Sequence, residues 1–332
     1  MKRILQIALI ALLTIVFVGL FLWKSNLTDV WRILKATDVR WLIAGLLVNF
    51  SALIFRTIRW RILIAYRTPP PFYATFFANT IGYALSAILP IRAGDVARPA
   101  LLSRRTNVRF SDALGTVLAE RVLDLVSILV LLLFFCVRRW REFDDAVVHG
   151  SALFASLILL ALAALMIIVY FFRVGMRNFN ARITMLLPRR FREPAMRFLE
   201  SFSKTLELVE TPAASVAVLA STAAIWICLI AQYSCALFAS HRRLPIDASF
   251  FLNAATTVGV AIPTPGGVGG FHKICQWVLT SYYGFDIDRS VAVAVLLHVV
   301  STAPVLIAGA ALFLREGLSW RELSRETTTR ET

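Results

Sequence analysis

The sequence predicts an all-α membrane protein: a polytopic helical bundle with two broken or re-entrant hairpins related as an inverted repeat. Three observations predict this class. Of the 332 residues, 58% are hydrophobic, whereas soluble domains are about 45–50% apolar. The apolar residues form long blocks, and prolines and glycines interrupt two of these blocks. Because crossing about 30 Å of hydrocarbon takes about 20 helical residues, the uninterrupted blocks predict transmembrane helices.

Six apolar blocks are predicted to be helical spans, at residues 4–23, 41–58, 113–137, 151–172, 214–238 and 290–314. The first block follows Met1, Lys2 and Arg3 but is longer than the apolar core of a signal peptide, and no small-residue cleavage pattern follows it. It is therefore interpreted as a retained span. Residues 24–40 have leucine, valine and tryptophan at loosely helical spacing, which predicts an amphipathic helix at the membrane interface.

The net charge of +15 is interpreted as a sign of the orientation of the chain in the membrane rather than of nucleic-acid binding. Lysine and arginine collect in cytoplasmic loops of membrane proteins, and they also attract anionic lipid headgroups. The charges predict a protein integral to the cell membrane, with both termini, the basic loop 173–210 and the polar tail 315–332 in the cytoplasm. The loop 138–150 then lies outside despite its three arginines.

The composition does not predict a cofactor or a metal site. The cysteines lie in apolar stretches without a C-x-x-C or histidine–cysteine pattern, so we interpret them as packing residues: Cys136, Cys228, Cys235 and Cys275. The phosphate-binding pattern G-x-x-x-x-G-K-[ST] does not occur, which argues against ATP-driven transport by this chain alone. Oligomeric state is left open.

Two segments predict helical hairpins rather than simple spans. In residues 72–104 an apolar stretch is broken by P-I-R-A-G-D (Pro90–Asp95), and in residues 249–283 by P-T-P-G-G-V-G-G (Pro263–Gly270). Each half is short for a crossing. The breaks free backbone hydrogen-bonding groups, which are tolerated at membrane depth only where protein or water satisfies them.

The two hairpins also resemble each other in sequence. Both begin with P-x4-F-F-x-N, ending at Asn79 and Asn253, and each then reaches a proline followed four residues later by a glycine. We therefore predict one transmembrane domain, 1–332, whose halves 1–137 and 211–314 are related by duplication. Paired, broken segments of this kind mark transport sites at repeat interfaces, although structural kinks are the plainer alternative.

Ionisable residues lie within two predicted spans. Glu120 and Asp124 are four residues apart and share one helix face, with Arg121 beside them. Charges at such depth should face the protein interior and pair, and Arg92, Arg98 and Arg121 are predicted partners. His298 is predicted near the bilayer middle, where it is either a packed neutral histidine or lines a pathway together with His272.

These motifs resemble the membrane region of lysylphosphatidylglycerol synthases, which is shared with stand-alone flippase-like proteins. The resemblance rests on four ordered segments, Arg56–Leu63, Leu89–Arg98, Glu120–Asp124 and Pro263–Gly270. It implies about eight membrane helices, re-entrant ones included, and transfer of a phospholipid or lipid-linked headgroup between leaflets. This chain departs from the family at Asp95 and at Phe271-His272, where glutamate is usual, and at His298, near which arginine is common.

Three functions follow as hypotheses. The first is a flippase or transporter that binds a phospholipid or lipid-linked substrate; the others are a membrane enzyme acting on such a substrate and an accessory subunit of envelope assembly. No catalytic residue or metal ligand is assigned, and a chemical reaction is not expected. The predicted substrate-binding residues are Arg56, Arg59, Arg92, Asp95, Arg98, Glu120, Arg121, Asp124, Gly266, Gly267, His272 and His298.

Overall fold

The computed structural model describes residues 2–64, 69–89, 93–143, 146–173 and 211–316. Within these ranges it contains eleven α-helices and no strand, which confirms the all-α class. The count exceeds the expected eight because each hairpin contributes two helices and the interfacial helix adds one. Most of the predicted loop 173–210 and tail 315–332 lies outside the described residues, as does the predicted site residue Arg92.

The first seven helices are α1 (Lys2–Leu22), α2 (Leu27–Lys35), α3 (Val39–Ile64), α4 (Phe72–Ile88), α5 (Gly94–Arg105), α6 (Phe110–Arg138) and α7 (Ala146–Arg173). The last four are α8 (Pro212–Ala239), α9 (Ile246–Ala261), α10 (Gly270–Tyr283) and α11 (Ile287–Arg315), and a short 3₁₀ turn, Pro265–Gly267, lies between α9 and α10. Five of the six predicted spans thus fall within single helices, and the first, 4–23, extends one residue beyond the end of α1.

Length and apolar composition allow three of these helices, α3, α8 and α11, to cross a membrane. The pair α1 and α2 forms a fourth candidate, bent by 79° at the link between them. At that link the side chain of Asn26 accepts a hydrogen bond from the Thr28 N–H and caps α2. Exposed Leu27 and Trp31 lie on α2, in agreement with the predicted amphipathic interfacial helix.

A glycine pair closes each hairpin. In the first, a Cβ added to Gly94 would collide with the backbone oxygen of Gly82. In the second, a Cβ added to Gly259 would lie 2.7 Å from the backbone oxygen of Gly270. Because glycine lacks a side chain, the two helices of each hairpin can approach to backbone contact. Re-entrance and the inverted relation of the two hairpins stay predictions.

The chain divides into two compact units, which are described separately. Unit 1 comprises Met1–Arg56, Phe76–Arg98 and Ala223–Thr332, and unit 2 comprises Thr57–Thr75 and Pro99–Thr222. Helix packing in unit 1 uses small residues and polar pairs, as is common in membrane bundles. An added Cβ on Gly309 would lie 2.6 Å from that of Ala84, for example. The predicted division into halves stays a prediction.

Candidate functional site

Two buried arginine-containing sites and a histidine pair carry the predicted site residues. In unit 1, helices α3, α4 and α5 bring together a cluster that we call the arginine–tyrosine site, formed by Arg56, Asn79, Tyr83, Asp95 and Arg98. The guanidinium carbons of Arg56 and Arg98 lie 4.8 and 5.1 Å from the centroid of the Tyr83 ring. Two cations therefore lie within cation–π distance of one aromatic ring.

Arg98 is held from several sides. Its side chain is 1% exposed, and its Nη1 donates to Asn79 Oδ1 at 2.9 Å and to the Tyr83 hydroxyl at 3.5 Å. The glycine crossing of the hairpin explains this placement: an added Cβ on Gly82 would lie only 2.6 Å from the Cβ of Arg98. The hairpin thus fixes the direction in which the guanidinium points.

The charges of the arginine–tyrosine site do not balance. The Asp95 carboxylate lies 4.0 Å from Arg98 Nη2, and the five residues that define the site carry two arginines and one aspartate. The Nε of Arg56 is buried and has no hydrogen-bond partner among the described residues, and the same holds for Ser86 Oγ on α4. Because guanidinium groups match the geometry of phosphate and carboxylate oxygens, this arrangement suits an anion.

The turn of the second hairpin reaches the end of α4. Gly266 has φ of +60°, and a Cβ there would lie 2.6 Å from the carbonyl oxygen of Ala87. Gly267 has φ of +71° and is buried against Val260. Both glycines are therefore required by backbone conformation, and Gly266 also by close approach. Ala87 follows Tyr83 by one helical turn, so this glycine turn lies near the arginine–tyrosine site.

His272 and His298 lie side by side in unit 1. Their ring centroids are 4.6 Å apart. Phe21 lies 5.0 Å from His272, and Phe271 lies 5.1 Å from His298, again between centroids. The Gly269 N–H donates to His272 Nδ1 at 3.4 Å. The structure thus brings the two histidines together, in an aromatic environment, as the pathway interpretation required; it equally satisfies the packed interpretation.

Unit 2 contains an ion cluster formed by Arg59, Glu120, Arg121 and Asp124. Arg59 Nη2 lies 2.8 Å from Asp124 Oδ1, and Arg59 Nε lies 3.4 Å from Glu120 Oε1. Arg121 Nη1 lies 3.7 Å from the second Asp124 oxygen. Arg59 also donates to Thr222 Oγ1 at 3.4 Å. The side chains of Arg59 and Glu120 are 0% and 1% exposed.

The ion cluster confirms one predicted pairing and adds a partner that the sequence did not indicate. Glu120 and Asp124 share a face, and Arg121 contacts Asp124, as predicted. Arg59 on α3 pairs with both carboxylates in addition, and the predicted partner Arg92 lies outside the described residues. Spacing within α6 could reveal which acids share a face, but it carries no information about which distant arginine packs there.

Sequence reasoning also missed Asn79 and Tyr83 as site residues. Asn79 ends the P-x4-F-F-x-N pattern, and Tyr83 follows it by four residues on the same helix, so the pattern and the helical period together could have identified both. An aromatic residue in an apolar helix is otherwise indistinguishable from a packing residue.

Long apolar helices with buried ion pairs and broken hairpins define an integral membrane protein with a polar interior site. The chain belongs to the family described as the lysylphosphatidylglycerol synthase TM region, which it matches over residues 3–309. A UPF0104 membrane protein of Methanocaldococcus jannaschii is 26% identical over 231 residues, covering 69% of this chain and 92% of that protein. The family ties this chain to a membrane role in lipid handling.

Proposed function

We propose that this protein moves a phospholipid or a lipid-linked headgroup between leaflets, with the arginine–tyrosine site binding the anionic group of the cargo. The observation that supports the proposal most is the pairing of two guanidinium groups with a single tyrosine ring and a single carboxylate. Burying guanidinium groups within a membrane protein is costly, and an anionic cargo would offset part of that cost. Both termini are proposed to be cytoplasmic.

The surrounding backbone supports movement of a headgroup. The arginine–tyrosine site lies on a hairpin broken by proline and glycine, and the glycine turn of the other hairpin contacts the same helix at Ala87. Discontinuous helices of this kind surround substrate sites in transporters, where backbone groups contact the cargo. No chemical change of the lipid is proposed.

The family name suggests particular cargoes. Lysylphosphatidylglycerol and phosphatidylglycerol share a phosphodiester, which the arginines would bind. They differ in the cationic lysyl group, for which a carboxylate such as Asp95 is the natural partner. The departures from the family at His272 and His298 leave the headgroup to be determined by experiment, so both lipids belong in the assay.

The test is a transport assay with the purified full chain in liposomes. Fluorescent phosphatidylglycerol that moves between leaflets is detected by its protection from, or exposure to, an impermeant quencher. Arg56→Gln and Arg98→Gln should each lower the initial rate by about tenfold or more, since a hydrogen bond to a charged group contributes about 1.5–3 kcal/mol. The matched control is Arg32→Gln, because the Arg32 side chain is 76% exposed on α2.

Three results would contradict the proposal. Wild-type rates in folded Arg56→Gln and Arg98→Gln proteins would show that the arginine–tyrosine site does not bind cargo. A chemically altered lipid in the wild-type liposomes, detected by mass spectrometry, would instead favour a membrane enzyme. Normal lipid distribution with impaired binding of a partner protein would favour an accessory subunit.

A further inference from the structure

The histidine pair is placed where one proton could affect the glycine turn. His272 is the third residue of α10, directly after that turn, and His298 lies in the middle of α11. The ring centroids are 4.6 Å apart, so a positive charge on one imidazole would interact electrostatically with the other. Coulomb repulsion between two imidazolium ions at that distance disfavours a second proton.

Phenyl rings flank both imidazoles. Phe21 and Phe271 each lie within about 5 Å of one imidazole, at 5.0 and 5.1 Å between centroids. The face of an aromatic ring stabilises a neighbouring cation, whereas burial away from water disfavours the charged imidazole. With the rings 4.6 Å apart, the pair can therefore hold at most one positive charge, shared or exchanged between the two rings.

The other ionisable groups on the helices around the pair are exposed, hydrogen-bonded to another residue, uncharged or distant. The positive charge is therefore assigned to the two histidines. Lys24, in the link that follows α1, is exposed, and on α10 the Lys273 ammonium donates to Gln276 Oε1 at 2.8 Å. Buried Cys275 is a neutral thiol on α10, and Asp247 lies at the opposite end of α9 from the glycine crossing. Between Arg289 and Arg315, α11 carries no charged side chain other than His298.

A proton on His272 would act directly on the turn. Nδ1 of His272 accepts the Gly269 N–H, so in the structure this nitrogen carries no proton. A proton on Nδ1 would place two N–H donors, those of His272 and Gly269, opposite each other. The hydrogen bond between them would break, and the start of α10 would be released from Gly269. The same turn contacts α1 at Phe17 through Gly269 and contacts α4 at Ala87 through Gly266.

We propose that His272 and His298 form a binding site for one exchangeable proton, and that this proton loosens the glycine turn from α4. Proton binding would thereby change the environment of the arginine–tyrosine site on the same helix. The link to lipid movement rests on the function proposed above, whereas the proton site itself does not.

Histidine-selective NMR tests the proton site without a transport assay. The chain contains only four histidines, so ¹⁵N-histidine labelling gives few signals, and His149 and His241 serve as internal references. His272→Asn, which retains an acceptor for Gly269, and His298→Gln assign the pair. Over about pH 4–8, which brackets ordinary imidazole titration, the two signals should shift together and take up one proton. Independent titration, or no titration of either, would overturn the proposal.

The transport assay, repeated across the same pH range, tests the coupling. The wild-type rate should change by about tenfold, because a proton can shift an equilibrium only by its difference in affinity for the two states. His272→Asn and His298→Gln should remove most of this dependence, and the exposed control His241→Asn should retain it. Lipid movement with no pH dependence would overturn the coupling. Absence of any lipid movement would contradict the proposed function, and NMR would still decide on the proton site.

Discussion

The ion cluster and the arginine–tyrosine site both bury an arginine, but they differ in what surrounds it. Arg59 contacts the carboxylates of Glu120 and Asp124, and with Arg121 the cluster has two cations and two anions. Arg98 contacts an amide, a phenol and one carboxylate at 4.0 Å, with a second arginine over the same ring. Burial alone therefore does not mark a binding site; the balance of charge distinguishes the two.

The difference assigns separate roles to the two regions. A neutral, internally paired cluster has no need of an external ion, so the ion cluster is expected to hold α3 against α6 within unit 2. A site whose own residues carry two arginines and one aspartate is suited to accept an anion. Variants of the ion cluster should thus affect folding first, and variants of the arginine–tyrosine site should affect transport first.

The largest expected effect is on stability, from Arg59→Met. Removing this cation takes the Arg59 contact away from the buried Glu120 carboxylate and the half-buried Asp124 carboxylate, which should destabilise the protein by about 3–5 kcal/mol. Thermal unfolding of the detergent-purified protein measures the loss. The control is Arg109→Gln, because Arg109 is 71% exposed and its ion pair with Asp112 is at the surface; it should cost less than about 1 kcal/mol. A stable Arg59→Met protein that fails only in transport would reverse the assignment.

A smaller loss is expected from Gly94→Ala. The added methyl group collides with the Gly82 carbonyl, so α4 and α5 must separate, at about 1–3 kcal/mol. Because α5 carries Arg98, transport should fall as well. In Gly150→Ala nothing lies within 4 Å of the new methyl group, and that helical substitution should stabilise the protein by up to about 1 kcal/mol. Equal unfolding temperatures for the two variants would contradict the close hairpin.

A comparison of Gly266→Ala with Gly284→Ala separates the effect of backbone strain from the effect of the contact with Ala87. Gly266 and Gly284 have φ of +60° and +63°, so alanine at either position should cost about 1–2 kcal/mol. Only the alanine at 266 meets a neighbour, the Ala87 carbonyl, while nothing lies within 4 Å at 284. Gly284→Ala should lose only the cost of the backbone strain, whereas Gly266→Ala should lose more stability and also transport. Matching transport rates in the two would show that the contact has no functional role.

The smallest expected effect is from Tyr83→Phe. The ring that faces both arginines remains, and only a 3.5 Å hydrogen bond is lost, so transport should fall by no more than about threefold. Tyr83→Leu removes the aromatic face and should cost about 1 kcal/mol or more of cation–π stabilisation, with a correspondingly larger fall in rate. If the phenylalanine variant were as inactive as the leucine variant, the hydroxyl rather than the ring would be the important group.

Much of the fold could be predicted because apolar blocks and their breaks are local features. The predicted span 214–238 corresponds to Pro212–Ala239, and proline and glycine marked both hairpins. The partner of Asp124 could not be predicted, because several arginines compete and only tertiary packing selects Arg59. The closing glycines were equally hidden: Gly82 is a single glycine within a helix, and its role depends on the helix that crosses it.

Headgroup photo-crosslinking tests the central claim most directly. Phosphatidylglycerol with a photoreactive group next to the phosphate would be incorporated with the full chain in liposomes and irradiated, and the labelled peptides identified by mass spectrometry. Labelling should concentrate in the peptide covering residues 76–98, and Arg56→Gln together with Arg98→Gln should abolish it while Arg32→Gln retains it. Labelling of α6 around Glu120 and Asp124 that is unaffected by the double variant would contradict the account, since it would place the headgroup at the ion cluster.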